Sequence, residues 1–196
     1  MHNINFVTGT HFVPQILKAL KIYRPAVPLL WNTSGYEREE TLKALDGIID
    51  IYLPDLKHFS PRIAQLCCGA PDYFENASGA ILEMIRQTGA PVYDEQGLMK
   101  KGTLIRHLVL PGCTMDSLRV LEWIAANCPR IPVSLMRQYT PPEGVSLPSP
   151  LDRRVNDREY ERVLERFEAL GLTGFTQEKE AAEKSYTPPF DLTGVL

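Results

Sequence analysis

Strand and helix signals alternate along almost the whole chain, and that order constrains the fold more than any single residue does. Apolar runs at 4–7, 27–31, 48–54, 103–112 and 131–139 read as strands. Amphipathic stretches lie between them. "PQILKALKIY" has apolar residues at 16, 17, 20 and 22, with Pro14 in its first turn. "EREETLKALDG" stops at Gly47, "SPRIAQLCCG" offers Ser60 as N-cap before Pro61, and "ASGAILEMIRQTG" ends at Gly89. "TMDSLRVLEWIAANCP" has Thr114 as predicted N-cap, and "NDREYERVLERFEALG" runs from Asn156 to Gly171. "PVYDEQGLMKKG" reads as a hairpin or long loop turning near Gln96-Gly97, "TPPEGVSLPSP" as a rigid irregular loop, and "GFTQ" as a last short strand.

Such alternation implies parallel strands joined by right-handed crossovers, in a doubly wound sheet or in a whole or partial (β/α) barrel. In either architecture ligands bind at the C-terminal ends of the strands. The 196 residues suit one domain, assigned to 1–177, followed by a tail at 178–196 that is polar and then proline-rich.

The residues just after each strand form a coherent polar set. They are Thr8, Gly9, Thr10 and His11, then "NTSGYE" at 32–37, "PDLKHF" at 54–59, Arg106 and His107, and Arg137 to Thr140. Burying an Asp, a Lys and an Arg at one mouth costs several kcal/mol, on the order of a buried ion, unless they pair or meet a ligand. Structural readings stand beside the functional ones. Asp55 and Lys57 share a strand face and could pair with each other, and Arg106 could bridge to Asp55. Asn32, Ser34 and Gly35 fit a turn and cap, and His11 and His58 fit solvated loop positions. Arg106 and His107 alternate, so one of them faces the interior; Arg106 is the expected one.

A formal net charge of −3 gives no pull toward nucleic acid or anionic membranes. No apolar run approaches the roughly 18 residues of a membrane span. The N-terminus lacks a basic region followed by an apolar stretch, so a cytoplasmic location is expected. Cys67, Cys68, Cys113 and Cys128 show no zinc or iron–sulfur spacing. They are expected to be reduced thiols, with Cys113 the most exposed, Cys68 packed at a helix end, and Cys67 and Cys68 in a helix away from the strand-end mouth.

Taken together, "HNINFVTGTHFVPQIL", "WNTSGYEREETLKALDGIIDIYLPDLKHF", "IRHLVLPGCTMDS" and "VSLMRQYTP" resemble the pyruvate formate-lyase activating enzyme-related radical S-adenosylmethionine (SAM) proteins. The resemblance covers essentially the whole chain, including "GFTQ" and the tail at Tyr186–Val195. It implies a partial (β/α) barrel of parallel strands with SAM and a [4Fe–4S] cluster as cofactors. In that family a Cys-x3-Cys-x2-Cys loop after the first strand holds the cluster. Reductive cleavage of SAM there yields a radical that abstracts hydrogen from a protein or small-molecule substrate, such as a backbone glycine of a glycyl radical enzyme. Carried over by position, Thr8, Thr10 and His11 would lie in the loop contacting the SAM amino group, with Gly9 where relatives usually have Pro. Asn32 and Thr33 would lie near the ribose and a monovalent cation. Lys57 would pair with the SAM carboxylate, and Asp55 would take a hydroxyl or the cation. Arg106 would point at the nucleoside, with Gln138 and Tyr139 beside the adenine.

One departure limits the resemblance: the sequence contains no Cys-x3-Cys-x2-Cys, and the first barrel strand has no counterpart. The expectation is a C-terminal part of such a protein, inactive alone and with no catalytic residue of its own. It would be prone to self-association through the exposed edge of the strand at 4–7. Two other functions fit the same strand ends. One is a non-catalytic module binding SAM or a partner; the other is a barrel lyase forming a Schiff base on Lys57, against which neighbouring Asp55 argues.

Overall fold

The computed structural model describes residues 2–142, 144 and 146–177. Among the described residues, eight strands are interspersed with six α-helices. The strands are β1 (Ile4–Val7), β2 (Leu29–Thr33), β3 (Ile51–Pro54), β4 (Val92–Tyr93), β5 (Met99–Thr103), β6 (Ile105–Leu108), β7 (Val133–Met136) and β8 (Gly174–Thr176). The helices are α1 (Val13–Ile22), α2 (Glu39–Lys43), α3 (Pro61–Cys68), α4 (Tyr73–Thr88), α5 (Thr114–Asn127) and α6 (Asp157–Ala169). The expected tail at 178–196 lies outside the described residues.

β1, β2 and β3 pair in parallel in that order, and β5 follows on the far side of β3. β6, β7 and β8 form a second parallel set. The two sets join along β3. Asp55 bridges Arg106, and Leu56 N–H donates to the Arg106 carbonyl at 2.9 Å. β5 and β6 thus continue one path beside β3, interrupted at Leu104, whose N–H donates to the Tyr52 carbonyl. At that break the outer neighbour changes from antiparallel β4 to parallel β7. The expected strand at 103–112 is therefore shorter, Ile105–Leu108, and Pro111-Gly112 lie in a turn. β1 is an outer strand of its sheet, the position on which the expectation of self-association rests.

Side-chain alternation sends the two faces of the sheet to different surroundings. Leu29, Trp31 and Tyr52 pack with Val13, Leu42, Ala80 and Met84 of α1, α2 and α4. Ile105, Val133 and Leu135 pack with α3, α4, α5 and α6 through Ala64, Ile81, Leu121, Ile124, Val163 and Phe167. All six helices thus contribute to apolar clusters on one face. Asn32, Arg106, Leu108, Ser134 and Met136, at alternating positions, remain partly exposed on the other.

Local signals account for the start of α6 and for the stop of α3 at left-handed Gly69. Asn156 accepts from Glu159 N–H while the Glu159 carboxylate accepts from Asn156 N–H, a reciprocal cap on α6. Ser60 stands at the cap position of α3 without a side-chain capping bond. Its own N–H donates instead to Asp116 at 2.7 Å. Thr114 is the first residue of α5 rather than its cap, and Cys113 precedes it. α4 begins four residues earlier than "ASGAILEMIRQTG", because Tyr73 extends its buried stripe by one turn. No helix among the described residues is long and apolar enough to cross a membrane.

Candidate functional site

The C-terminal ends of β3, β6 and β7 open onto a cavity of about 470 Å³. Asp55, Lys57, Arg106 and Gln138 form its polar end. Leu66 and Cys67 of α3 and Leu108, Met136 and Tyr139 supply apolar and sulfur-bearing wall. The proline-rich stretch after Tyr139 forms a roof through Pro142, Leu147, Pro148 and Leu151, pinned where Tyr139 O–H donates to the Leu151 carbonyl at 2.7 Å.

Charge at the polar end is closely coupled. Lys57 Nζ lies 3.0 Å from Asp55 Oδ2, and Arg106 Nη2 lies 2.7 Å from Asp55 Oδ1. The same Arg106 nitrogen donates to Asn32 Oδ1 at 2.7 Å. Both pairings foreseen as structural alternatives are present, so Asp55 serves two cations. The arrangement is not saturated. Arg106 Nε is buried without a hydrogen-bond partner among the described residues, and the Arg106 contact to Asp55 Oδ1 is close but not aligned as a hydrogen bond. Lys57 keeps 38% of its side chain exposed, which leaves ammonium surface toward the cavity.

Tyr73 builds this corner from below. Its hydroxyl lies 2.7 Å from the Ser34 carbonyl and 2.9 Å from that of Asp55, and accepts from Lys57 N–H at 3.1 Å. One buried hydroxyl thus ties the β2 end to the Asp-x-Lys turn, and burial pushes it well above the usual phenol range. Gly35 is required beside it: a Cβ there would lie 2.1 Å from the Asp55 carbonyl oxygen, at φ +81°. Asp116 reaches from α5 to accept from Phe59 and Ser60 N–H, and burial raises its pKa despite both bonds.

The other strand-end residues gather elsewhere. Thr10 and Thr33 donate to Glu37 Oε1 at 2.7 and 2.6 Å, joined by Trp31 Nε1 at 3.3 Å. Glu37 is buried, and its Oε2 has no partner among the described residues. Thr8, in the left-handed region at φ 54°, and His11 are exposed and do not line the cavity. Gly9 is explained by Trp31, whose ring would lie 2.7 Å from a Cβ; the larger Pro would meet the same ring.

Several expectations are corrected. His58 is no solvated loop residue: it is 4% exposed and sets its ring edge against Tyr73. Burial, with His107 and Lys57 nearby, lowers its pKa to about 4. His107 is buried on the helix-bearing side, with Nδ1 2.7 Å from the Leu56 carbonyl, while Arg106 takes the open face as expected. Cys113 is half-buried, whereas Cys67 and Cys68 are exposed. Cys67 lies on the cavity wall rather than away from the mouth. Among the described residues, no three His, Cys, Asp or Glu side chains group to hold a metal ion.

Tyr73 and Asp116 escaped the sequence reading, and Glu37 entered it only as the last residue of the polar 32–37 stretch, with no role assigned. Glu37 follows Thr33 by four residues in a loop, where apolar periodicity carries no signal. Tyr73 and Asp116 occupy ordinary helix positions, and only the fold brings them to the loops they hold.

No family model matches the chain. Among curated proteins, an uncharacterized protein of Methanocaldococcus jannaschii is 28% identical over 175 residues, covering 87% of this chain and 47% of that protein. The chain thus spans about half the length of the curated relative it matches. A domain of pyruvate-formate lyase-activating enzyme from Bacteroides vulgatus superposes with a TM-score of 0.62, over 91% of this chain and 100% of that one, at 15% identity. The likeness is one of fold: the mixed α/β arrangement with parallel strands is common to both.

Proposed function

We propose that this chain is the SAM-binding part of a radical SAM protein of the activating-enzyme type. The observation that carries the reading is the convergence of Lys57, Asp55 and Arg106 at one end of the cavity of about 470 Å³, with a buried Arg106 N–H that has no partner among the described residues. Helices on one face of the sheet support a partial-barrel reading over a doubly wound one, which covers both faces.

The residues fit the ligand's chemistry. Lys57 offers an ammonium to a carboxylate, Asp55 accepts from hydroxyls, and Arg106 Nε donates to a neutral acceptor. Gln138 and Tyr139 present an amide and an aromatic face to a planar base. Thr10 and Thr33, engaged by Glu37, hold the β1 and β2 loops in register, and Asn32 orients Arg106. SAM supplies the radical in this family. The cluster does not fit: the sequence lacks the three-cysteine loop, so no redox step is assigned to these residues.

A Schiff-base role for Lys57 gains no support. Its amine is ion-paired with Asp55 and half-exposed, rather than free in an apolar pocket.

Isothermal titration of the chain with SAM tests the proposal. Saturable binding that Lys57→Ala weakens about tenfold, the ratio that 1.4 kcal/mol gives, is the expected result. Absence of binding at about 1 mM SAM, or an unchanged affinity in Lys57→Ala, overturns it.

A further inference from the structure

Five acidic side chains line two further cavities, of about 420 and 370 Å³, formed by the loops after β1 and β2, by α2 and by the first half of α4. Glu37, Arg38 and Asn76 belong to both walls, so the two cavities meet at Glu37. Neither shares a lining residue with the cavity of Lys57 and Arg106. Four of the acids have structural explanations. Glu39 and Glu40 stand in the first turn of α2 and Glu75 in that of α4, where negative charge suits the helix dipole. Glu39 also pairs with Lys43, and Asp72 accepts from Tyr36 O–H and Asn76 Nδ2.

Glu37 has no such explanation. It belongs to neither helix and is 4% exposed. Thr10, Thr33 and Trp31 all donate to its Oε1, while its buried Oε2 has no partner among the described residues. A buried carboxylate oxygen without a donor is costly, and the cost is relieved when a donor reaches it. Arg38 is the one basic residue on either wall, and it is exposed. The walls therefore attract positive charge. They do not suit a metal ion, because no three His, Cys, Asp or Glu side chains among the described residues group to hold one. The acids are spread along both cavities instead, an arrangement that suits separate ammonium groups, each with three N–H donors. Gly79 keeps the floor of the larger cavity open: a Cβ there would meet nothing within 4 Å. Glycine inside a helix is less favourable than alanine, and here it leaves a bare strip of α4 on which methylenes can lie.

We propose that this double cavity binds a linear aliphatic polyamine, with one ammonium at Glu37, a second beside Glu40 and Glu75, and the intervening methylenes over Gly79. The inference goes beyond the SAM reading and stands without it, because the two sites share no lining residue and the test uses no SAM.

Trp31 is the reporter, since its indole N–H donates to Glu37. The isotopically labelled full-length chain is titrated with spermidine in about 150 mM sodium chloride, which screens exposed charge, and followed by nitrogen–proton correlation NMR. The Trp31 indole signal should shift saturably, while that of Trp123, which lines neither cavity, should stay in place. Glu37→Gln keeps an acceptor for the three donors and replaces Oε2 by an amide NH2; it should weaken binding about tenfold. n-Butylamine, with the single ammonium of a lysine side chain, should bind about tenfold more weakly than spermidine. No Trp31 shift up to about 10 mM spermidine overturns the proposal, as does unchanged affinity in Glu37→Gln. An equal response to magnesium chloride overturns it in favour of a metal ion. Equal affinity for n-butylamine overturns it in favour of a lone ammonium such as a partner's lysine. If Glu37→Gln loses the native spectrum, Gly79→Leu gives the reading instead, since its side chain enters open space: weaker spermidine binding supports the site, and unchanged binding rejects it.

Discussion

Arg106 reaches across the sheet to Asn32: its Nη2 donates to Asn32 Oδ1 at 2.7 Å, although 74 residues separate the two. The same nitrogen touches Asp55 on the intervening strand. One guanidinium thus spans β2, β3 and β6 and holds the corner that faces the cavity.

Removing that guanidinium should loosen the corner. Arg106→Met leaves Asp55 with Lys57 alone and Asn32 Oδ1 without its donor. The expected loss is about 1–3 kcal/mol, below that for a fully buried pair because Lys57 still compensates Asp55. Arg106→Lys should recover only part of it, since a single ammonium does not reproduce the planar fork. Urea unfolding of the two variants measures both.

Tyr73→Phe deletes only an oxygen, yet that oxygen serves three backbone groups. Lys57 N–H is left unpaired, so the variant should lose about 1–3 kcal/mol. If the SAM reading holds, its affinity should fall as the Asp-x-Lys turn shifts. Gly35→Ala should be the more damaging change, because its Cβ meets backbone and not a movable side chain. Thermal unfolding and titration together separate the two effects.

Acid should destabilise the fold through His58. Its pKa is lowered from 6.5 to about 4 in the folded chain, so the unfolded chain binds more protons between these values. Stability is then complete above pH 6.5 and falls as pH drops toward 4, by roughly 3 kcal/mol over the window. Buried His107 is shifted in the same direction and adds to the trend. His58→Asn should flatten the profile between pH 4 and 6.5, measured by denaturant unfolding across pH.

The α6 cap offers a local comparison. Asn156→Ala should cost about 1 kcal/mol, as cap removals do. Glu159→Ala should cost more, because this carboxylate also accepts from Gly112 N–H and pairs with Arg153. These partners hold its pKa down to about 2, so its contribution persists above pH 4.5 and is lost as pH falls from there toward 2. Unfolding midpoints of the two variants at neutral pH and at pH 3 check both statements.

What the sequence made legible was governed by range. Strand and helix order follows from periodicity within a few residues, and Asn156 with Glu159 forms a cap that four consecutive positions specify. Asp55, Lys57 and Arg106 were visible because charges stood at the ends of apolar runs. The role of Glu37 was not, since donors from two other segments, Thr10 after β1 and Trp31 and Thr33 of β2, give it meaning. Tyr73 and Asp116 were hidden for the same reason: each is an ordinary helix residue until folding brings its oxygen to a distant loop. The break at Leu104 was equally illegible, because the apolar run continues through it while its neighbour changes.

That break has a practical consequence. The β4–β5 hairpin attaches to the end of the sheet away from the cavity, beside Ile51 and Tyr52, and closes through Asp94, which accepts from Gln96 and Leu98 N–H. Its tip between Glu95 and Gly97 is exposed. A peptide tag or fluorescent reporter spliced in there would extend a two-stranded ribbon and leave the cavity corner undisturbed, making the hairpin a natural handle for tethering the protein to a surface.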